Sequence, residues 1–301
     1  MPSLSLWFRF AAKLNGQSIR MEVKHLISSA LVASVRVWSL TSLLGTVLLE
    51  PGPLTAEPIT VRYREGSVHG FLALRTLEGK ILAAGDLTQT VRGNRLVSRL
   101  VFRFKDGSVD DETAVFSQQH NFRLIRYRHI QKGPSFPVPM DVSINASTAQ
   151  VTVRYTDDGK EKIETERMDL APDLANGMVL NILKNIPPNT TETKVSYVAA
   201  TPKPRLVKLS IVPQGEDKFT VAGSSYTAAL FVVKVELGGI TGIVAPLVGK
   251  QPPDTKVWVV GGEAPAFVKA EQSLYPNGPI WRIEMTAPVW PKEPSSGRSG
   301  P

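Results

Sequence analysis

Residues 99–116 read RLVFRFKDGSVDDETAVF, and how this stretch folds decides the architecture. Its first half belongs to a run in which Leu96, Ser98, Leu100, Phe102 and Phe104 fall on one face. Val97, Arg99, Val101, Arg103 and Lys105 fall on the other, the two-residue period of a half-buried antiparallel strand. Asp106-Gly107 then reads as a turn, with Asp bonding nearby backbone amides and Gly taking positive φ at little cost. Asp110, Asp111 and Glu112 open the returning strand. Their spacing fails the calcium-loop pattern, which needs acids or Asn at alternate positions, then Gly, then a distant Glu. Neighbours in a strand point to opposite faces, so only Asp110 and Glu112 share one, and a general acid and base would have to be that pair.

The same reading extends outward. VTVRYT at 151–156 alternates Val151, Val153 and Tyr155 against Thr152, Arg154 and Thr156, and runs into Asp157-Asp158-Gly159-Lys160, a second Asp-Gly hairpin signal. Further strands are predicted near 60–76, 80–91, 113–119, 121–131, 194–200, 204–212, 218–222, 226–236, 255–260, 264–271 and 279–287. One segment breaks the rhythm. In PDLANGMVLNILKNIPP, Leu174, Met178, Val179, Ile182, Leu183 and Ile186 recur at helical spacing between Pro172 and Pro187, predicting an amphipathic helix at about 172–186. The expected fold is mainly β, a large curved antiparallel sheet or an open barrel or sandwich with one helix laid across it.

Composition narrows the class. With 301 residues, 42% of them hydrophobic, the chain can bury a large core. The absence of cysteine excludes disulfides, thiolate metal sites, a thiol nucleophile and a lipid-modified cysteine. Four histidines (His25, His69, His120, His129) form no zinc-binding spacing, and neither a P-loop, a GxSxG elbow nor a dinucleotide fingerprint is present. No metal, cofactor or catalytic residue is therefore assigned. His120 and His129 read as lone exposed side chains, the alternative being a pairing across a hairpin with an acid from 110–112. A net charge of +8 is too dilute for a dedicated nucleic-acid binder.

The basic bias is local. Arg92 to Lys132 holds nine bases and four acids, and on the alternation above Arg99 and Arg103 share an outward face while Arg126 and Arg128 line up on a neighbouring strand. With Arg123 and Lys132 they form a candidate site for an anionic head group or envelope polymer, since guanidinium forks suit phosphate and carboxylate. The competing reading is a solvated face whose charges protect strand edges. From Leu237 the chain reads LGGITGIVAPLVGKQPP, and Ile240, Ile243, Val244 and Leu247 are the candidate apolar wall of a ligand site, or else a bent, buried strand pair. Trp258 and Trp281 sit in strand-like runs and are expected in the core.

The amino-terminal 56 residues read as an address. From Met21 a short charged start leads into an apolar run from Val37 to Leu49, then Pro51-Gly52-Pro53 and an alanine at Ala56, the order of a secretory signal. The run of 13 is shorter than the roughly 20 residues that span a bilayer, so cleaved export is expected, with an uncut signal anchor as the alternative. Residues 1–20 do not fit this pattern and read as an over-extended start. A single β-rich domain is expected over 57–290, followed by a tail at 291–301 with nothing to bury.

The hairpin series, FRFKDGS at 102–108 and the GPSFPVP connection at 133–139 together resemble bacterial exported proteins of unknown function built from long antiparallel hairpins. More loosely, the pattern is similar to the periplasmic lipoprotein carriers, whose curved sheet encloses an apolar cavity. The resemblance implies a soluble periplasmic or secreted binding protein for an amphipathic or anionic ligand such as a lipid, lipoprotein or envelope polymer. Two other functions stay open: an envelope-assembly scaffold that binds a protein partner, and an envelope hydrolase acting through Asp110, Glu112 or a histidine.

Overall fold

The computed structural model describes residues 58–187, 189–221, 224–236 and 252–286. The segment read as a secretory signal, the stretch read as a carboxyl-terminal tail and the apolar-wall candidates Ile240, Ile243, Val244 and Leu247 lie outside the described residues. Fourteen strands form one antiparallel sheet: β1 (Val68–Arg75), β2 (Ile81–Arg92), β3 (Arg95–Phe104), β4 (Val109–Gln118), β5 (Phe122–Lys132), β6 (Met140–Asn145), β7 (Gln150–Asp157), β8 (Lys160–Arg167), β9 (Thr193–Ala199), β10 (Arg205–Val221), β11 (Ser224–Glu236), β12 (Thr255–Val260), β13 (Ala266–Ser273) and β14 (Ile280–Met285). Their spatial order, β8 to β1 followed by β14 to β9, is two meanders joined edge to edge by β1 and β14. β8 and β9 are left as the two edges of an unclosed sheet. The expected β-dominated fold is what forms.

Turn chemistry sets the registers. Asp158 and Gly159 both have positive φ, the requirement of a type I′ hairpin whose twist suits the flanking strands β7 and β8. At the β3–β4 turn Asp106 Oδ1 accepts from the Ser108 amide at 2.9 Å and Gly107 takes φ +85°, so the turn explanation of Asp106 holds. Gly85 serves another purpose. A Cβ there would stand 2.5 Å from the Phe102 ring and 2.9 Å from Leu72 Cβ, so the absence of a side chain lets Phe102 lie across β2.

The inward faces of the strands make one apolar cluster that includes Leu72, Leu74, Phe102, Phe116, Val142, Val153, Ile211, Val257 and Trp281. Trp258 is also buried, but on the outer face, where its Nε1 donates to Asp217 at 2.7 Å and the Lys269 ammonium sits 4.2 Å from its ring.

The predicted helix is the main correction. Only Val179–Leu183, α1, is helical. Ahead of it Gly177 adopts φ +68°, which ends any helical path, and Asp173 and Asn176 use their side chains to bond the edge strand β9. Ser196 donates to Asp173 through its amide (3.0 Å) and its hydroxyl (2.7 Å). Asn176 exchanges two bonds with the Val198 backbone. Short polar side chains that compete for backbone groups are poor helix residues and good edge caps. Strand β6 was not foreseen behind the proline-rich 133–139 connection, and the predicted strands at 204–212 and 218–222 are one bent strand, β10, with a register shift between Pro213 and Glu216.

Candidate functional site

Beyond Gly177 the connection from β8 to β9 turns into the sheet's inner face. A Cβ at Gly177 would meet Ala114 Cβ of β4 at 2.5 Å and the Tyr127 ring of β5 at 3.1 Å. Behind it, Asn185 accepts from the Arg62 and Tyr63 amides at 2.7 Å each, and Lys184 pairs with Glu65 at 2.5 Å. The connection is thus a wedge held from both sides, and beside it the described residues leave the inner face unfilled.

A cavity of about 600 Å³ lies there, within the usual range for small-molecule sites. Its apolar lining comes from Val207 and Leu209 of β10, Val233 and Val235 of β11, Leu274 and Tyr275 after β13, and Val179 of α1. Its polar end is made by His129 and Gln131 of β5 and Tyr197 of β9. These side chains point inward because of a bulge. The β4–β5 register shifts between Val115 and Phe116, so Val115 faces Arg126 while Phe116 faces Leu124. Ile125 is the extra residue, and inward positions change from Phe122 and Leu124 to Tyr127, His129 and Gln131.

Behind the polar end stand the two acids that the alternation placed on one face. Asp110 is 5% exposed and accepts from Gln131 Nε2 at 2.6 Å, with His129 Nε2 at 3.1 Å; Gln131 Nε2 also reaches the Leu274 carbonyl at 2.7 Å. Glu112 accepts from the Tyr127 hydroxyl at 2.8 Å. His129 is therefore not a lone exposed side chain, and the pairing with an acid from 110–112 is the one the fold makes. His120 takes no part; its carbonyl accepts from Val61 at the end of the β4–β5 hairpin.

The environment sets the charges. Burial pushes His129 toward neutrality, but the charge and hydrogen bond of Asp110, aided by Glu112 and Asp111, outweigh it and raise the pKa to about 9. Burial lifts Glu112 above its ordinary value, and it lifts Tyr127 and Tyr197 as well. A base raised in the fold stabilises fully below its unfolded pKa, 6.5 for His, and that contribution is lost as pH climbs through about 9. Glu112 acts in the same sense, since a carboxyl raised by burial favours the fold only while protonated. We expect His129 to contribute about 3 kcal/mol at pH 6 that is gone by about pH 10. Urea unfolding of the wild type and His129→Gln across this range measures it: the difference between the two should shrink on the alkaline side, and a constant difference would refute it.

The arginine stripe lies on the opposite face. Arg99 forms a two-pronged pair with Asp111 (2.9 and 2.6 Å), and Arg128 forms one with Asp141 (3.0 and 2.8 Å). Arg103, Arg123, Arg126 and Lys132 are exposed on the same outer surface; Arg103 helps hold the Asp111 carboxyl below its ordinary range, and the other three have no acid in ion-pair contact among the described residues. One ligand cannot rest its chain on the inner face and its head on this stripe across the same strands, so the two features are separate. Asp141, the partner that neutralises Arg128, stands on the unforeseen strand β6. Among the described residues no three His, Cys, Asp or Glu side chains gather to hold a metal ion, and no helix is long and apolar enough to cross a membrane.

A single unclosed antiparallel sheet, with a wedge and a cavity on its inner face, defines the class: a β-dominated protein. Among solved structures the chain is similar to the β-barrel-like protein of domain of unknown function DUF1849 from Brucella abortus, at 9% identity over 74% of this chain and 98% of that one, with a TM-score of 0.39. No family model matches the chain, and no curated protein matches it.

Proposed function

We propose that this protein is an exported, non-catalytic carrier of the cell envelope that binds an amphipathic molecule inside its sheet. The observation that carries the reading is the cavity of about 600 Å³, apolar along β10 and β11 and polar at His129, Gln131 and Tyr197. Each methylene removed from water against such a wall stabilises by roughly 0.8 kcal/mol, enough for a modest chain to bind measurably. Against hydrolysis stands the lack of a poised nucleophile: Ser273, a hydroxyl at the lining, donates to the Tyr275 carbonyl at 2.6 Å, and no hydroxyl is bonded to His129 among the described residues. Export is supported by the charged, apolar, proline-glycine and alanine order of residues 21–56, and a mature protein beginning near Glu57 is expected on amino-terminal sequencing. A start well upstream would favour the signal anchor.

The test is mass spectrometry of organic extracts from protein purified out of the envelope without detergent, beside Val207→Trp, which fills the cavity from a half-buried position. The wild type should carry a reproducible, near-stoichiometric amphiphile and the variant should not. An empty wild type that also fails to take up Nile red would remove the carrier reading and turn the search to a protein partner. The exposed Arg103, Arg123, Arg126 and Lys132 support a separate, peripheral attraction to anionic envelope surfaces. Reversing the three arginines to Glu should weaken sedimentation with anionic vesicles several-fold at low salt and little at high salt; unchanged binding would make the stripe a solvated face only.

A further inference from the structure

The polar end of the cavity has no surplus positive charge, and this restricts the head group it can hold. No lysine or arginine is among the described lining residues. The imidazolium of His129 is matched by Asp110 at 3.1 Å, and Glu112 lies directly opposite His129 in the β4–β5 ladder. Two carboxyls thus stand against one cation, and a buried carboxylate or phosphate head would meet no free countercharge. An ammonium head fares no better. Asp110 and Glu112 are not at the lining; they stand behind His129, Gln131 and Tyr127 and are engaged by them, so a cation entering from the cavity meets the imidazolium first. Burying an ion without a partner is far more costly than burying a neutral polar group that finds a hydrogen bond.

What the polar end does offer is one donor and one acceptor side by side. Gln131 commits its amide nitrogen to Asp110 and to the Leu274 carbonyl, which leaves its oxygen as an acceptor. The second ring nitrogen of protonated His129 is a donor for which the described residues supply no partner, while the Tyr197 hydroxyl, also at the lining, is hydrogen-bonded to Tyr127. We propose that the cavity selects amphiphiles whose head group is uncharged and both donates and accepts hydrogen bonds, an alcohol or a primary amide, over fatty acids, phospholipids and alkylamines. This selectivity rests on the carrier reading of the same cavity.

The experiment is displacement of Nile red from the full chain at neutral pH by four ligands of one chain length: decanol, decanamide, decanoate and decylammonium. Decanol and decanamide should reach half-displacement at concentrations about tenfold or more below the two charged ligands, the size expected when a buried charge lacks a partner. Gln272→Lys provides the decisive arm. Gln272 is a partly exposed lining residue on β13, and a lysine there supplies the missing cation, so decanoate should gain about tenfold relative to decanol measured on the same variant. Decanoate or decylammonium equal to decanol on the wild type, or decanoate unmoved relative to decanol by Gln272→Lys, overturns the selectivity while leaving the cavity intact. No uptake of Nile red by the wild type overturns the cavity reading and the selectivity together.

Discussion

Asp173→Ala is expected to lower unfolding stability by about 4 kcal/mol, because it strips one edge of the sheet of its cap and strands a cation. The Asp173 side chain is fully buried and does three things at once. It accepts the Ser196 amide at 3.0 Å, the Ser196 hydroxyl at 2.7 Å and the Lys208 ammonium at 3.2 Å, while Lys208 also donates to the Ser196 hydroxyl oxygen at 2.8 Å. Alanine leaves a fully buried strand amide and hydroxyl without their acceptor, and a mostly buried ammonium without its counterion. Breaking such a pair on one side costs more than replacing both members. Asp173→Ala with Lys208→Met should therefore recover part of the loss. Urea midpoints of the single and double variants make the comparison, and a single-variant loss under about 1 kcal/mol would place Asp173 among ordinary surface acids.

Gly177→Val should cost a similar amount, about 3 to 5 kcal/mol, for two independent reasons. At φ +68° a β-branched residue is strained by its own backbone. Its Cβ would also enter space held by Ala114 Cβ at 2.5 Å and the Tyr127 ring at 3.1 Å. Tyr127 carries the hydrogen bond to Glu112, so displacement of the wedge should disturb the polar end of the cavity as well. The expected signature is a lowered thermal midpoint with weakened Nile red uptake. Gly79→Val is the control, since Gly79 also has positive φ but nothing lies within 4 Å of its missing Cβ; it should show the backbone part of the loss alone. Equal losses in the two variants would remove the steric argument.

The sheet was legible because alternation and turn residues are local signals. Leu96 to Lys105 sorted into faces as read, and Asp106-Gly107 and Asp158-Gly159 turn where their chemistry allows positive φ. Asp110 and Glu112 share the inward face, as a period of two requires. Two strands were weaker signals for physical reasons. β8, KEKIETER, is an exposed edge with no buried face to pattern, and β6, MDVSIN, is six residues long behind two prolines, although Met140, Val142 and Ile144 do alternate. The helix failed because its apolar spacing outweighed what Asp173, Asn176 and Gly177 each signalled: side chains that cap, and a backbone that turns.

The sequence by itself determined a disulfide-free, hairpin-built β protein, with the strand faces on which its arginines and acids stand. Only the tertiary structure decided which of them meet. The bulge at Ile125 exchanges the faces of β5 partway along, turning His129 and Gln131 inward toward Asp110 while Arg126 and Arg128 remain outside. The wedge at Gly177 comes within reach of Tyr127 only when residues some fifty positions apart are folded onto one another. Alternation is set residue by residue, but register shifts and the docking of a connection are set by partners distant in the chain, and it is those that assemble the cavity and its polar end.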